Sequence, residues 1–152
     1  VVGYVDVDLE VHARYIPSCA LAIKEGTDVA VGLRIYKFNI FAIDRYLMSK
    51  GYNWLVRKLL GINLRDTETG FKFFNRKRIL PILDEIQDKG WFWDTEVMVR
   101  SYIKKYTMVE IPCLFLRRRD KPSTVNKVFD SINYFRNLCM FKKLLQINKN
   151  NR

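Results

Sequence analysis

Two acidic side chains near the start of the chain have a spacing that suits a divalent cation. Asp6 and Asp8 follow a short apolar run, within the acidic segment 6–10. On an extended chain leaving a strand, both carboxylates can reach one hard cation, and Mg²⁺ or Mn²⁺ prefers a few carboxylates together with phosphate oxygens and water. We therefore predict that Asp6 and Asp8 hold such a metal, which would neutralise a departing diphosphate. A plain acidic turn after a strand is the alternative.

A second group combines arginines with a hydroxyl. Arg34 follows a predicted strand, and Arg45 and Ser49 lie four residues apart, which places them on one face of a helix. Arginine forks match phosphate oxygens, and a serine hydroxyl adds a further donor. These three residues are thus candidates for binding a phosphate, with a solvated basic face as the alternative.

A polar turn and an aromatic segment supply two more groups. The turn at 65–72 carries Asp66, which can position an acceptor or hold a basic partner, and a glycine that permits close backbone approach. The segment 91–96 sets three aromatic residues beside Asp94 and Glu96, as in the walls of sugar sites. The alternative for 65–72 is an ordinary loop with a turn glycine. The alternative for 91–96 is the edge of the core with a helix cap.

Three consecutive arginines, Arg117, Arg118 and Arg119, open a basic segment that runs to position 124 and includes Ser123. Such a run is untypical of a protein core. We predict that it clamps a phosphate or an acidic membrane surface, and a solvated run of charges is the alternative.

The composition indicates polyanionic partners but does not identify which kind. The chain has 152 residues and a net charge of +11, from 27 Lys and Arg against 16 Asp and Glu, which favours nucleic acid, acidic lipid or phosphorylated substrates. Cys19, Cys113 and Cys139 lack metal-ligand spacing, which predicts reduced, buried thiols. No apolar run reaches the roughly 18 residues of a bilayer-spanning helix.

Hydrophobic spacing predicts the elements that must position these groups. A strand at 1–5, a helix at 14–25 and a strand at 28–32 form a strand–helix–strand unit, which implies parallel pairing and a right-handed crossover. The other expected elements are a loop at 33–40, a helix at 41–60, a polar turn at 61–69, a strand at 71–74, a helix at 76–88, a helix at 94–105 capped by Asp94, and a strand at 109–116.

The expected fold class is α/β with a mostly parallel sheet, in which ligands lie outside the carboxyl ends of the strands. Asp6 and Asp8 occupy such an end. A final helix is expected from 125 to about 147. Its large apolar residues and its cations are typical of a basic amphipathic helix at a membrane surface, and packing on the chain's own sheet is the alternative.

The order of these motifs resembles that of the family 2 glycosyltransferases that act on polyprenyl phosphates, namely dolichyl-phosphate mannose synthases and dolichyl-phosphate glucosyltransferases. The segments 66–74 and 118–124 are most similar to the glucosyltransferase-like members and their archaeal relatives. The ordered motifs that carry the resemblance are Asp6-x-Asp8, 28–34, Arg45-x-x-x-Ser49, 66–72, 93–96, 109–112 and the arginine-rich loop that leads to Ser123.

The resemblance implies a Rossmann-like GT-A fold that is incomplete here, because the strand and loop that bind the nucleotide should precede Val1. It divides the chain into the C-terminal portion of a catalytic domain at 1–124 and a membrane-surface helix and tail at 125–152. It also implies that Asp6 and Asp8 bind the metal and the donor diphosphate, and Glu10 stands where relatives often carry Gln.

The resemblance further implies the roles of the basic residues. Arg34, Arg45 and Ser49 match positions that hold the acceptor phosphate and the donor, and the loop of Arg117, Arg118, Arg119 and Ser123 matches a basic segment near the same site. We take Asp8, Arg34 and Asp66 as the catalytic residues.

The function expected from this resemblance is an inverting, metal-dependent transfer of a sugar from a UDP-glucose or GDP-mannose type of donor to a polyprenyl or dolichyl phosphate. We expect it at the cytoplasmic face of a membrane, with Mg²⁺ or Mn²⁺ as the cofactor. One alternative is a transferase with a sugar hydroxyl as the acceptor, where Asp94 or Glu96 would be the base. A basic nucleic-acid-binding module is the other, but the cations are spread along the chain and no nucleic-acid motif occurs.

Overall fold

The computed structural model describes residues 1–36, 43–116 and 127–150, with the side chains of 43–45, 127–131 and 147–150 left out of that description. This part of the chain forms four strands and five α-helices, with a short 3-10 helix at Ala13–Tyr15. The strands are β1 (Val2–Val5), β2 (Val29–Tyr36), β3 (Phe71–Phe74) and β4 (Met108–Phe115). The helices are α1 (Ile16–Lys24), α2 (Ile43–Leu60), α3 (Arg76–Leu83), α4 (Trp93–Ile103) and α5 (Lys127–Asn150).

The four strands form one mixed sheet in the order β1-β3-β2-β4. β3 lies between β1 and β2 and is antiparallel to both, whereas β2 and β4 pair in parallel from Val29 and Met108 to Tyr36 and Phe115. The predicted direct pairing of the first two strands is therefore wrong, because β3 lies between them, whereas β1, β2 and β4 run in the same direction, as in the expected mostly parallel sheet. All four residues of β3 are buried, which suits the interior of a sheet, and its short apolar sequence does not reveal its direction.

Three element boundaries also differ from the prediction. β2 continues to Tyr36 instead of ending before Leu33, because its second half pairs with β4. α3 ends at Leu83 rather than at position 88. Phe92 rather than Asp94 is the N-cap of α4, so that Asp94 and Glu96 lie in the first turn, where the helix dipole favours acids.

Helices cover both faces of the sheet, as an α/β fold requires. On one face Ala30, Phe71 and Phe73 pack with Cys19 and Ile23 of α1. The opposite face packs against the other helices, and the buried residues there include Val31, Val56, Phe74, Ile82, Val97 and Leu138. The alternation of side chains along the strands thus sorts the apolar residues into two cores.

The cysteines behave as predicted from their apolar neighbours. Cys19 and Cys113 are buried free thiols, and Cys139 is a free, partly buried one. Burial raises the pKa of Cys19 to about 12 and that of Cys113 to about 11, so both stay protonated at neutral pH.

The C-terminal helix α5 is apolar on more than one side. It buries Leu138 and Phe141 in the core, while Ile132, Phe135 and Met140 are exposed. Its role at a membrane surface therefore stays a prediction. Within 1–36, 43–116 and 127–150, no helix combines the length and the apolar character that crossing a bilayer requires.

Two glycines offer a matched test of this sheet. A methyl group on Gly3 would lie 2.5 Å from the Phe73 ring and 2.8 Å from the Lys72 carbonyl oxygen, because β1 and β3 are neighbours. We expect Gly3→Ala to lower the free energy of unfolding by about 1–3 kcal/mol. Gly51, in α2, has open space around it, so Gly51→Ala should raise that free energy by about 0.5–1 kcal/mol. Urea unfolding of both variants measures this, and equal effects would contradict the strand order.

Candidate active site

One end of the sheet gathers most of the predicted site residues. The parallel strands β1, β2 and β4 end there, and the antiparallel strand β3 begins there. Asp6 follows β1, and its backbone N–H donates to the Gly70 carbonyl oxygen at 2.7 Å, just before β3. The backbone N–H of Leu116, after β4, donates to the Glu10 carbonyl oxygen at 2.8 Å. The acidic segment 6–10 therefore lies beside the carboxyl end of β4.

A tight turn presents Asp6 and Asp8. The Leu9 N–H donates to the Asp6 carbonyl oxygen at 3.1 Å, and the Glu10 N–H donates to Asp8 Oδ1 at the same distance. Leu9 has a φ of 53°, in the left-handed region that a branched side chain adopts at a cost. Strain of this kind is typical of functional loops, where surrounding contacts enforce it.

The carboxylate of Asp6 packs directly against Gly70. A methyl group at position 70 would overlap that carboxylate, so any other residue there would force Asp6 to move. Burial raises the pKa of Asp6, the negative charges of Asp94 and Asp8 raise it further, and Lys72 and Arg34 partly oppose them. The carboxylates of Asp6, Asp8 and Asp94 lie close enough to repel one another, and a bound cation would reduce this repulsion.

Asp6 and Asp8 fit a divalent metal only with help from a substrate. In the part of the chain that the structure describes, no three His, Cys, Asp or Glu side chains form a group that could hold a metal ion. Two carboxylates are nevertheless a usual protein share for Mg²⁺, which keeps several waters and takes phosphate oxygens from its substrate. The crowded acids at Asp6 fit such a cation.

Arg34 is the centre of a buried ionic cluster. Its Nε donates to Asp66 Oδ2 at 2.6 Å, and its Nη2 donates to Asp66 Oδ1 at 2.7 Å and to Glu68 Oε2 at 3.1 Å. Burial alone would lower the pKa of Arg34, but Asp66 raises it strongly, so the guanidinium keeps its charge. The rings of Tyr36 and Phe115 flank the cation, with centroids 5.7 and 5.8 Å away.

Helix α2 joins this cluster through Ser49. Its hydroxyl accepts a hydrogen bond from Arg34 Nη2 at 3.1 Å and donates one to Glu68 Oε2 at 2.8 Å. Burial raises the pKa of Glu68, and Arg34 opposes that shift. The predicted site residues Ser49 and Asp66 therefore both contact Arg34, and Glu68 is a fourth member that the sequence did not single out.

The loop 65–70 is anchored from two other elements. Glu110 of β4 accepts hydrogen bonds from the backbone N–H groups of Arg65 and Asp66 through Oε1, at 2.7 and 3.1 Å. Asn53 of α2 accepts from the Thr67 N–H at 2.9 Å and donates to the Ser49 carbonyl oxygen at 3.0 Å. The loop is thus fixed relative to β2, β4 and α2 together.

Lys72 forms a second buried ionic contact. Its ammonium is fully buried, lies 2.5 Å from Asp94 Oδ1 and also donates to the Thr69 carbonyl oxygen. The Tyr4 hydroxyl donates to the same Asp94 oxygen. Burial lowers the pKa of Lys72, and Asp94 opposes that shift. Lys72 interrupts an apolar strand, and this sequence signal could have identified it.

The two acids considered as bases differ in their surroundings. Glu96 is buried, lies 2.7 Å from Arg100 Nη2 and accepts hydrogen bonds from the backbone N–H groups of Gln87 and Asp88. These contacts engage both carboxylate oxygens of Glu96, which disfavours Glu96 as a base. Asp94 lies near Asp6, but its Oδ1 is already held by Lys72 and Tyr4.

Other predicted residues fall partly or wholly outside the description. Arg45 lies in α2, and its side chain is not described. Arg117, Arg118, Arg119 and Ser123 lie outside the described residues, so their roles stay predictions.

The raised pKa of Glu68 gives a testable pH dependence. A carboxyl whose pKa is higher in the folded than in the unfolded protein costs stability as pH rises above its unfolded value, until it also ionises in the folded state. Glu68→Gln removes this cost, although Arg34, Asp66 and Ser49 still surround the position. We expect the difference in melting temperature, variant minus parent, to be larger at pH 8 than at pH 5. Calorimetry measures it, and a difference that falls with pH would contradict the buried geometry.

Comparison with known proteins places this site in context. No protein-family model matches the chain. Glycosyltransferase AglD of Haloferax volcanii is 34% identical over 112 residues, which make up 72% of the chain and 18% of that protein. The dolichyl-phosphate beta-glucosyltransferase of Saccharomyces cerevisiae is 34% identical over 90 residues, which are 55% of the chain and 27% of that protein.

A third similar protein is the polyprenol monophosphomannose synthase of Mycolicibacterium smegmatis, 27% identical over 101 residues, which are 64% of the chain and 38% of that protein. The chain thus spans well under half of each relative's length. Its mixed sheet, with helices on both faces, is that of a partial Rossmann-like GT-A fold. The chain belongs, over this partial length, to the dolichyl-phosphate glycosyltransferase family.

Proposed function

We propose that this chain is part of a glycosyltransferase that moves a sugar from a nucleotide sugar to a polyprenyl phosphate. The observation that carries the proposal is the single loop 66–70, which bonds to Arg34 at one end and to Asp6 at the other. Asp6 and Arg34 therefore lie on either side of one short segment, and we propose that a metal-bound diphosphate binds at the first and a lipid phosphate at the second. The names of the similar proteins support the same reaction class.

The acceptor phosphate is proposed to bind near Arg34, with Arg45, Ser49 and the segment 117–123 completing its site. Arg34 already contacts Asp66 and Glu68, so a phosphate must compete with these carboxylates or share the cation with them. Burial raises the pKa of Glu68, which lowers the cost of protonating this carboxylate when a phosphate competes for Arg34. Asp66 is proposed to hold the guanidinium in place through its bidentate contact.

In the proposed reaction, an oxygen of the lipid phosphate attacks the anomeric carbon of the sugar with inversion. A new C–O bond forms as the bond to the diphosphate oxygen breaks, and its electron pair leaves with the nucleoside diphosphate. Asp6 and Asp8 would hold a divalent cation that neutralises the diphosphate. The phosphate is anionic near neutral pH, so the site needs less of a general base than a hydroxyl acceptor would. The engagement of Asp94 by Lys72 and Tyr4 is consistent with this.

Exposed apolar residues support an acceptor at a membrane surface. Leu47 and Trp54 are exposed on α2, and Lys58 lies 4.8 Å from the Trp54 ring centroid. The exposed Phe135 and Met140 on α5 have cations on the same helix. Aromatic rings with nearby lysines suit the interface between lipid and water. We propose binding to the cytoplasmic face of a membrane, and a UDP-glucose or GDP-mannose type of donor.

The test uses the intact protein in membranes, with labelled nucleotide sugars, dolichyl phosphate and Mn²⁺ or Mg²⁺. Metal-dependent label in the lipid phase is the expected result, and it identifies the donor. Asp8→Asn should reduce the rate at least a hundredfold, because one metal ligand loses its charge. Asp84→Asn, at the exposed end of α3, is the matched control and should retain the parent rate. Consumption of the donor without lipid label would instead favour a hydroxyl acceptor or hydrolysis.

The contact between Gly70 and Asp6 allows a second test of the acid pair. Gly70→Ala places a methyl group inside the space of the Asp6 carboxylate, so that carboxylate must move. We expect the Mn²⁺ concentration for half-maximal activity to rise at least tenfold. In Gly90→Ala the added methyl group would have its nearest neighbour, Asp88 Oδ1, at an ordinary 3.5 Å, and the metal requirement should not change. If the Mn²⁺ concentration for half-maximal activity is unchanged in Gly70→Ala, Asp6 is not a ligand of the metal.

A further inference from the structure

The loop 66–70 contains a buried hydroxyl without a partner. Thr69 is 2% exposed, and its Oγ1 is the buried side-chain polar atom that finds no hydrogen bond in the described part of the structure. Leaving a buried donor or acceptor unsatisfied costs stability, and native proteins keep few such groups. An unpaired hydroxyl in a candidate active site therefore points to a bound ligand.

The rest of the loop shows that this is not loose packing. Thr67, two residues earlier and fully buried, has its hydroxyl 3.2 Å from Asn53 Oδ1 and 3.3 Å from Thr95 Oγ1. The Thr69 carbonyl oxygen itself accepts a hydrogen bond from Lys72. The backbone at Thr69 is thus held in place, while its hydroxyl is left for another group.

The position of Thr69 indicates which group that is. Asp66 and Glu68, before it in the loop, contact Arg34, where the acceptor phosphate is proposed to bind. Gly70, after it, contacts Asp6, where the leaving diphosphate is proposed to bind. In a direct displacement the transferred sugar must lie between the attacking and the leaving oxygens. Thr69 lies between the two ends of the loop that border these oxygens.

We propose that the Thr69 hydroxyl forms a hydrogen bond with a hydroxyl group of the transferred sugar. This inference rests on the proposed function, because it takes its geometry from the two phosphate positions. A threonine hydroxyl both donates and accepts, as a sugar hydroxyl does. Rotation about χ1 moves the hydroxyl to another staggered position, so the hydroxyl can turn to the ligand without backbone movement.

The first measurement is the stability of the ligand-free intact protein. Thr69→Val removes a hydroxyl that has no partner and keeps the side-chain shape, so its melting temperature should equal or exceed that of the parent. Thr67→Val is the matched control two residues away. It breaks the bonds to Asn53 and Thr95, so its melting temperature should fall. A fall in Thr69→Val as large as that in Thr67→Val would overturn the inference.

The second measurement compares two ligands in the presence of Mn²⁺. Thr69→Val should weaken binding of the nucleotide sugar by about tenfold to a hundredfold, because a buried sugar hydroxyl loses its partner. Binding of the nucleoside diphosphate alone, which lacks the sugar, should not change. Thr69→Ser keeps the hydroxyl and should restore binding of the nucleotide sugar. Calorimetric titration gives all of these affinities.

Each other outcome has a definite meaning. Equal weakening for both ligands would place the contact on the diphosphate and overturn the sugar assignment, and unchanged affinity for both would overturn the contact altogether. A parent protein that binds the nucleotide sugar through Thr69 but makes no lipid-linked sugar would support the inference, and only the proposed acceptor would fail. A parent that binds no nucleotide sugar would overturn both.

Discussion

The burial of Arg34 beside Asp66 and Glu68 is the constraint on which the candidate site depends. A guanidinium removed from water is tolerated only where carboxylates and further hydrogen bonds replace its hydration. Asp66 supplies a bidentate partner, and Glu68 and Ser49 supply additional contacts. The loop that carries both acids must therefore stay against β2, and this same loop brings Gly70 to Asp6. The largely buried Arg34 thus fixes the loop that contacts it at Asp66 and Glu68 and contacts Asp6 at Gly70.

The mixed sheet makes this arrangement possible. Because β3 runs opposite to its neighbours, its amino end lies at the edge where β1 and β2 reach their carboxyl ends. The loop that enters β3 can then contact the residues that leave β1 and β2. With the parallel pairing of β1 and β2 that the sequence led us to expect, the two strands would be adjacent, and no loop would pass between Asp6 and Arg34. The insertion of β3 therefore determines how the residues of the candidate site are arranged.

The sequence identified much of the site through local signals. Asp6 and Asp8 follow a strand, and Arg34, Ser49 and Asp66 were chosen for residue type and spacing; the structure brings the last three into contact. Glu68 and Lys72 were missed, because their importance comes from burial and from partners far along the chain. Strand order escaped prediction for a similar reason: four consecutive buried residues in β3 fit either direction, and only long-range pairing decides.

The described part of the site has more carboxylates than cations, which is why a metal and further arginines are proposed. Among the described side chains, the ion pairs of Asp66, Glu68 and Asp94 involve two cations, Arg34 and Lys72, and the carboxylates of Asp6 and Asp8 lie nearby. Both cations are already engaged with acids, so an anionic donor and an anionic acceptor would meet an excess of negative charge. A divalent cation at Asp6 and Asp8, with Arg45 and the arginines from 117 to 119, would reverse that balance. The described part of the site therefore supplies geometry, and we propose that the metal and these arginines supply the positive charge that binds the substrates.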